Sequence, residues 1–470
     1  MLKKRILACI LVAALLLLTS CGSAGRSSGA RLMGDTESPD PLRICIDLMD
    51  FSTDNPQSCD TSYNDLLFRL KETAGLEDVV LEIIPSPYDF KTFMADTTPR
   101  ATAIDRIRSE IMAGEGPDVF LMTYMTYLGT MGPEYDSTDC LFKYPQKAME
   151  NGIFLPLDEY IENSAELGEW DKLIKPVLDA GRNDEGQLIV PLNYSFPLLC
   201  YPKSEWEHIP DKKYTWNDML TNPELLPVSL DMANCGYSDN ILYMSGPDSS
   251  DTSWETEFFW QPYYLPFIMG ELADYDAEEL SFTEEELLAR VKDILALERQ
   301  DGYMEFDKAC EEKTGIRLSD RYLNVPMTFM PLYNADGGIT VEIERFAAVN
   351  RNTKRPEDAF RVIDLLMSGY VQQWSDFYSE FIYKSNSLPM HEELFQKEHP
   401  TWGNNYYMLD ENFEAFCKVR EQITGANFHS EGTALLSDMM SKCCSGDFDD
   451  RPVEEIVHEA YEDLSRRVKE

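Results

Sequence analysis

Gly114-Glu115-Gly116-Pro117-Asp118-Val119-Phe120-Leu121-Met122 is the stretch that decides the fold of this chain. Ahead of it, Ile104, Ile107 and Ile111 stand three and four residues apart, which predicts one buried helix face over 101–113. Two glycines and a proline end that helix, because neither residue type supports its interior. The apolar run that follows, Asp118 to Met122, has the length of a buried strand. Working outward, Val79 to Ile84 reads as a second strand, Tyr63 to Thr73 as a helix and Leu42 to Leu48 as a first strand. The order strand, helix, strand, helix, strand implies an α/β fold with a parallel sheet covered by helices. Ligands of such sheets bind beyond the carboxyl ends of the strands. Here those ends are Asp50-Phe51, Pro85-Ser86 and Thr123-Tyr124. Downstream, a helix opens within Gly152 to Tyr160. Gly186 to Ser195 reads as another apolar strand, which continues through Pro197 to Tyr201. Thr215 to Leu220 looks like an N-capped helix start.

The amino terminus sets a compartment. Met1-Leu2-Lys3-Lys4-Arg5 supplies three cations, and Ile6 to Leu18 is apolar. Thirteen residues make a helix of about 20 Å, shorter than the roughly 30 Å hydrocarbon core, which is the length of a signal-peptide core. Leu18-Thr19-Ser20-Cys21-Gly22 resembles the lipobox of bacterial lipoproteins. That resemblance implies removal of residues 1–20 and a diacylglyceryl group on Cys21; an ordinary secretory signal with an incidental cysteine is the alternative. Gly22 to Asp40 is rich in Gly, Ser, Ala, Pro and Asp and is expected to be a flexible tether.

The remaining residues have room for two or three domains. A formal net charge of −43 argues against nucleic-acid binding and against a polybasic route to anionic lipid. After Cys21 no apolar run approaches the length of a membrane span. Setting aside Cys9 and Cys21, nine cysteines remain, an odd number without any CxxC spacing, so a zinc ribbon or thioredoxin-like site is unsupported. Most read as small buried apolar residues, with room for a disulfide or two that the spacing does not identify.

Several segments, in order, resemble the large extracellular solute-binding proteins of ABC importers, the group that includes maltose-binding protein. They are Gly114 to Val119; the run from Pro197 through Tyr201-Pro202-Lys203 to Thr215-Trp216-Asn217-Asp218-Met219; Ala347-Ala348-Val349-Asn350-Arg351-Asn352-Thr353 leading to Arg355-Pro356-Glu357-Asp358-Ala359-Phe360; Ser387-Leu388-Pro389; and a last helix from Pro452 with Ile456, Ala460, Leu464 and Val468 on one stripe. Pro202 stands where the family commonly has Asn. The resemblance implies a two-lobe periplasmic-binding-protein-like fold, each lobe a central β-sheet flanked by helices, joined by a hinge. Lobe 1 is expected over 42–195 and 342–385, and lobe 2 over 196–341 and 386–470. The chain is expected to cross between them near Ser195 and again near Ile339 to Glu342.

Catalytic signatures are sparse. The spacing G-x-S-x-G occurs at Gly25 to Gly29, inside the expected tether and not on a strand-to-helix elbow; there is no H-E-x-x-H, and His391-Glu392-Glu393 lacks a second His. Asp447 to Asp450 lacks the spacing and glycine of an EF-hand. No cofactor or metal site is expected, and the chain is read as a non-enzyme. The aromatic cluster Trp254, Phe258, Phe259, Trp260, Tyr263 and Tyr264 reads either as core or as a source of one or two cleft residues. A flat ring can cover the apolar face of a sugar while nearby polar groups meet its hydroxyls. By position, the candidate ligand contacts are Asp50, Tyr124, Asn193, Tyr194, Ser195, Trp260, Trp402 and Phe428. The expected partners are a small solute, with a sugar or oligosaccharide favoured, and separate ABC permease subunits. The chain is expected to be a monomer at the extracytoplasmic membrane face. A ligand sensor for a membrane receptor and a surface-anchored glycan hydrolase are the rival readings.

Overall fold

The computed structural model describes residues 30–48, 56–86, 88–89, 94–95, 98–123, 140–202, 265–298, 327–382, 388–394, 410–444 and 451–469, apart from a few positions inside those ranges. The fold is α/β, with a central sheet flanked by helices. The main sheet has six strands: β1 (Arg31–Gly34), β2 (Leu42–Asp47), β3 (Val79–Ile83), β4 (Val119–Thr123), β5 (Ile189–Pro191), and a strand that returns from much later in the chain, Arg345–Val349. Between β5 and that returning strand lie β6 (Asn193–Tyr194), β7 (Leu198–Pro202), β8 (Met327–Pro331) and β9 (Ile339–Ile343), so the returning strand is β10. The sheet order is β1-β3-β2-β4-β10-β5.

β2 lies between β3 and β4 and is parallel to both. Leu42, Ile44, Cys45 and Ile46 are all fully buried. Both faces are therefore covered, as a parallel sheet with crossover helices requires. The crossovers are α1 (Pro56–Glu72) and α2 (Thr98–Met112). Ile104 and Ile107 are fully buried and Ile111 packs against the core, as their spacing predicted. α1 starts seven residues ahead of its expected position. Pro56 suits the first helical turn, and the polar residues Gln57, Ser58, Asp60 and Thr61 carry no apolar period from which to read a helix.

The expected tether differs at its carboxyl half. Arg31–Gly34 pairs antiparallel with β3 as the sheet's edge. Edge pairing needs backbone hydrogen bonds more than bulky side chains, so a composition poor in apolar residues does not forbid it. Gly34 has φ +102°, and a Cβ there would lie 2.4 Å from the carbonyl oxygen of Val79, so the position takes only glycine.

The single apolar run 186–195 breaks into three short strands with different partners. Gly186–Gln187 pairs with Arg182–Asn183, β5 pairs with β10, and β6 pairs with β11 (Leu388–Pro389). A second group of elements pairs β7 with β8 antiparallel and β9 with β12 (Ile423–Phe428) parallel. Helices α3 (Glu284–Glu298), α6 (Asp410–Arg420), α7 (Glu431–Cys444) and α8 (Val453–Lys469) belong with it; α4 (Pro356–Met367) and α5 (Gly369–Trp374) follow β10. On α4, Ala359, Ile363 and Leu366 are fully buried. On α8 the buried stripe is Ile456, Leu464 and Val468, with Ala460 packed against it, and Arg466, Arg467 and Lys469 sit at its negative pole. Cys45, Cys140 and Cys443 are buried, and Cys417 is partly buried.

The residues around the opening motif are wired to the returning strand. Gly114 and Gly116 take φ values of +77° and +107°. The Asn350 side-chain amide donates to the carbonyls of Glu115 (3.0 Å) and Pro117 (2.9 Å). Asp118 accepts from the Arg43 backbone N–H at 2.8 Å and from the Thr353 hydroxyl at 2.6 Å. Asn350 is wholly buried. Asn350→Ala leaves two carbonyls without their donor, and we expect a loss of about 2 kcal/mol or more. Urea unfolding checks this as a lower midpoint at unchanged slope.

Candidate functional site at the crossing strands

Three passages of chain meet beside the sheet. Asn193 and Tyr194 pair antiparallel with Pro389 and Leu388. One residue on, Ser195 bridges Glu342: its N–H donates to the Glu342 carbonyl at 2.8 Å, and the Glu342 N–H returns to the Ser195 carbonyl at 2.7 Å. The third passage continues to His391, which bridges Leu173.

Side chains reinforce this junction. Asn193 is fully buried; its amide donates to the Ile382 carbonyl at 2.9 Å and its oxygen accepts from the Arg345 N–H at 3.0 Å. The buried Arg345 guanidinium pairs with Glu344 at 2.8 Å. Ser195 donates its hydroxyl to the other Glu344 oxygen at 3.4 Å, and the Thr123 hydroxyl donates to the Glu344 carbonyl at 3.0 Å. The Tyr194 hydroxyl accepts from Arg420 Nε at 2.6 Å. Burial raises the Tyr194 phenol above its usual range, against the pull of Arg420, so it remains a neutral hydroxyl. Phe428 packs edge-on against Phe346 with centroids 5.7 Å apart, and the Glu342 carboxylate contacts the His429 imidazole.

Of the candidate contacts, the structure brings Asn193, Tyr194, Ser195 and Phe428 to this one junction. Asn193, Tyr194 and Phe428 are enclosed there and engaged with protein groups. Ser195 is also buried, at the bridge itself. Asp50, Tyr124, Trp260, Trp402 and the lipidation residue Cys21 lie outside the described residues, as do the aromatic cluster 254–264 and the helix start at 215–220.

Two features escaped the sequence reading. At the carboxyl end of β2, Asp47 and Arg100 form a wholly buried two-pronged pair, both contacts 2.8 Å, and Arg100 also donates to the Pro85 carbonyl at 3.3 Å. Fifty-three residues separate the pair and no local pattern links them. The other is Glu169, held in the left-handed region at φ +46°. It accepts from the Gly369 N–H and from Lys172, both at 2.8 Å, and faces His391 at 3.4 Å. Among the described residues, no group of three or more His, Cys, Asp or Glu is placed to hold a metal. The charged groups of the junction are engaged with one another, an arrangement that fixes a strand crossing.

No protein-family model and no characterised protein matches the sequence. Solved structures do resemble it. The chain is similar to solute-binding proteins. A cyclic alpha-maltosyl-1,6-maltose binding protein from Arthrobacter globiformis shares 14% identity over 92% of this chain and 100% of that one, at a TM-score of 0.46. An extracellular solute-binding protein of family 1 from Alicyclobacillus acidocaldarius shares 11% over 92% and 100%, at 0.48. A de novo designed cysteine esterase shares 12% over 91% and 98%, at 0.49. No residue role in this chain follows from likenesses this distant.

Burial lowers the His391 pKa below its ordinary 6.5, outweighing the pull of Glu169. The folded protein therefore holds this imidazole neutral while the unfolded chain still takes up a proton. That stability is complete above about pH 6.5 and is lost as pH falls through the unfolded value toward the lower folded one. We expect His391→Phe to flatten the stability curve below pH 6.5. Chemical denaturation at a series of pH values reads it; an unchanged slope refutes the assignment.

Proposed function

We propose that this chain is an extracytoplasmic solute-binding protein, anchored by lipid at Cys21, whose two lobes close on a small solute and present it to an ABC permease. The observation that supports this reading most is the pairing of Ser195 with Glu342 beside the β6–β11 pair. Short extended passages lying side by side can bend together through a few backbone angles, the requirement for hinge closure. The proposed lobes are 42–195 with 342–385 and 196–341 with 386–470. In this reading Asn193, Tyr194 and Phe428 hold the hinge. Asp50, Tyr124, Ser195, Trp260 and Trp402 are the proposed ligand contacts.

A sugar or oligosaccharide is the favoured solute. Aromatic residues make up 11% of the chain, and stacked rings with short polar side chains suit pyranose faces and hydroxyls. The acidic chain disfavours anionic solutes through its long-range field.

A ligand present at about a hundred times its dissociation constant stabilises the folded state by about 2.7 kcal/mol. We therefore expect at least one member of a panel of oligosaccharides, monosaccharides and peptides to raise the melting temperature by a few degrees. Silence across the whole panel refutes solute binding. Unimpaired uptake of the identified solute in a strain lacking the protein refutes delivery to a permease and leaves sensing.

A further inference from the structure

Among the described residues five large hydrophobic side chains are exposed, and four of them fall on three adjoining elements. Leu32 is on β1, Phe68 on α1, and Tyr370 and Trp374 are one turn apart on α5; Phe68, Tyr370 and Trp374 are each about 60% exposed.

These elements are fastened together. β1 runs beside α1: Arg31 pairs with Asp60, and a Cβ on Gly34 would lie 3.2 Å from the Leu67 side chain. On the other flank Arg69 of α1 donates to the Trp374 carbonyl and stands 5.5 Å from the Tyr370 ring centre. Asp65 holds Arg69 at 2.9 Å and takes the Ser375 hydroxyl at 2.6 Å. Among the described side chains of α1, the exposed ones before Phe68 are Thr61 and Asn64, both uncharged. Within the three elements the cations Arg31, Arg69 and Lys71 balance the acids Asp60, Asp65 and Glu72. On a chain with a net charge of −43, these three elements carry balanced charge beside their aromatic side chains, with exposed Asp35, Glu37 and Asp376 at the edges.

Its position indicates what covers it. β1 is the first described element, and Cys21 precedes Arg31 by ten residues. Ten residues span at most about 35 Å, and relaxed they average roughly 17 Å. Along α1, Asp60, which Arg31 touches, is about 12 Å from Phe68. A lipid on Cys21 thus keeps this face within reach of the bilayer. Trp and Tyr favour the headgroup level, where ring and polar tip are both accommodated, and elements of balanced charge meet less repulsion from anionic lipid than the rest of the chain does.

We propose that Leu32, Phe68, Tyr370 and Trp374 seat on the membrane surface and give the body a fixed orientation on its anchor. This rests on the lipidation of Cys21 proposed above.

The test uses full-length protein extracted from membranes and reconstituted into phosphatidylcholine vesicles with a minor share of phosphatidylglycerol. The acyl chains are brominated near the headgroup, where bromine quenches tryptophan on contact. With seven tryptophans in the chain, Trp374→Phe isolates the signal. We expect bromine-dependent quenching in the native protein, its loss in Trp374→Phe, and its loss in Phe68→Ser/Tyr370→Ser while that variant stays on the vesicles. Vesicle-bound protein whose emission ignores bromine overturns the seat and leaves the anchor standing. Protein that washes off the vesicles overturns both through the anchor. A dimer that Phe68→Ser/Tyr370→Ser dissociates, without bromine quenching, assigns the face to a second copy and overturns the membrane reading.

Discussion

The insertion of β10 between β4 and β5 is the constraint on which the rest of the structure depends. All five residues from Arg345 to Val349 are buried, and both edges of the strand are paired. Its partners come from 119–123 and 189–191, so residues 192–344 must leave and return at one edge of the sheet. Closing so long an excursion is inexpensive, because each doubling of loop length adds only about 0.6 kcal/mol. The geometric consequence is larger than the entropic one. It forces the outgoing Ser195 beside the incoming Glu342, and that adjacency creates the junction.

The polar network keeps the insertion in register. Asn350 lies one residue past β10 and ties it to the turn that opens β4, while Asn193 ties its first residue to the start of β6. Both amides are buried and use donor and acceptor alike. A shift of one residue along β10 would exchange its two faces and break both clamps. Motif residues around Gly114 and Asn350 thus serve the closure of the sheet. On α4, Arg355 adds a link to Asp78 before β3 and to Asp358 in its own helix.

Acidity shapes how cations are used. With 41 Lys and Arg against 84 Asp and Glu, a buried carboxylate must be served by a cation from elsewhere in the chain. Glu82 is buried in β3 and is met by both Arg43 and Arg106, which also share Glu110. Asp47 is met by Arg100. Removing one partner of such a pair leaves an uncompensated buried charge, which costs far more than the intact pair contributes. These pairs therefore fix the ends of strands more than they add stability.

Periodicity in the sequence determined the parallel strands β2, β3 and β4, the helix face of Ile104 and Ile107, and the stripe on α8. Each depends on contacts whose pattern repeats within a dozen residues. Long-range pairing was not legible. The run 186–195 is one apolar segment in the sequence, yet it divides among three partners. Arg31–Gly34 carries no signal of its own, because its hydrogen bonds are supplied by β3. Asn193, Tyr194 and Phe428 are candidates by position in the sequence, and only the tertiary structure shows how deeply they are enclosed. The sequence by itself determined the first strands and helices and their succession along the chain, since local hydrophobic pattern and turn chemistry act over short separations. The tertiary structure alone decided which strands meet and which polar groups are buried, because those depend on residues that lie far apart along the chain.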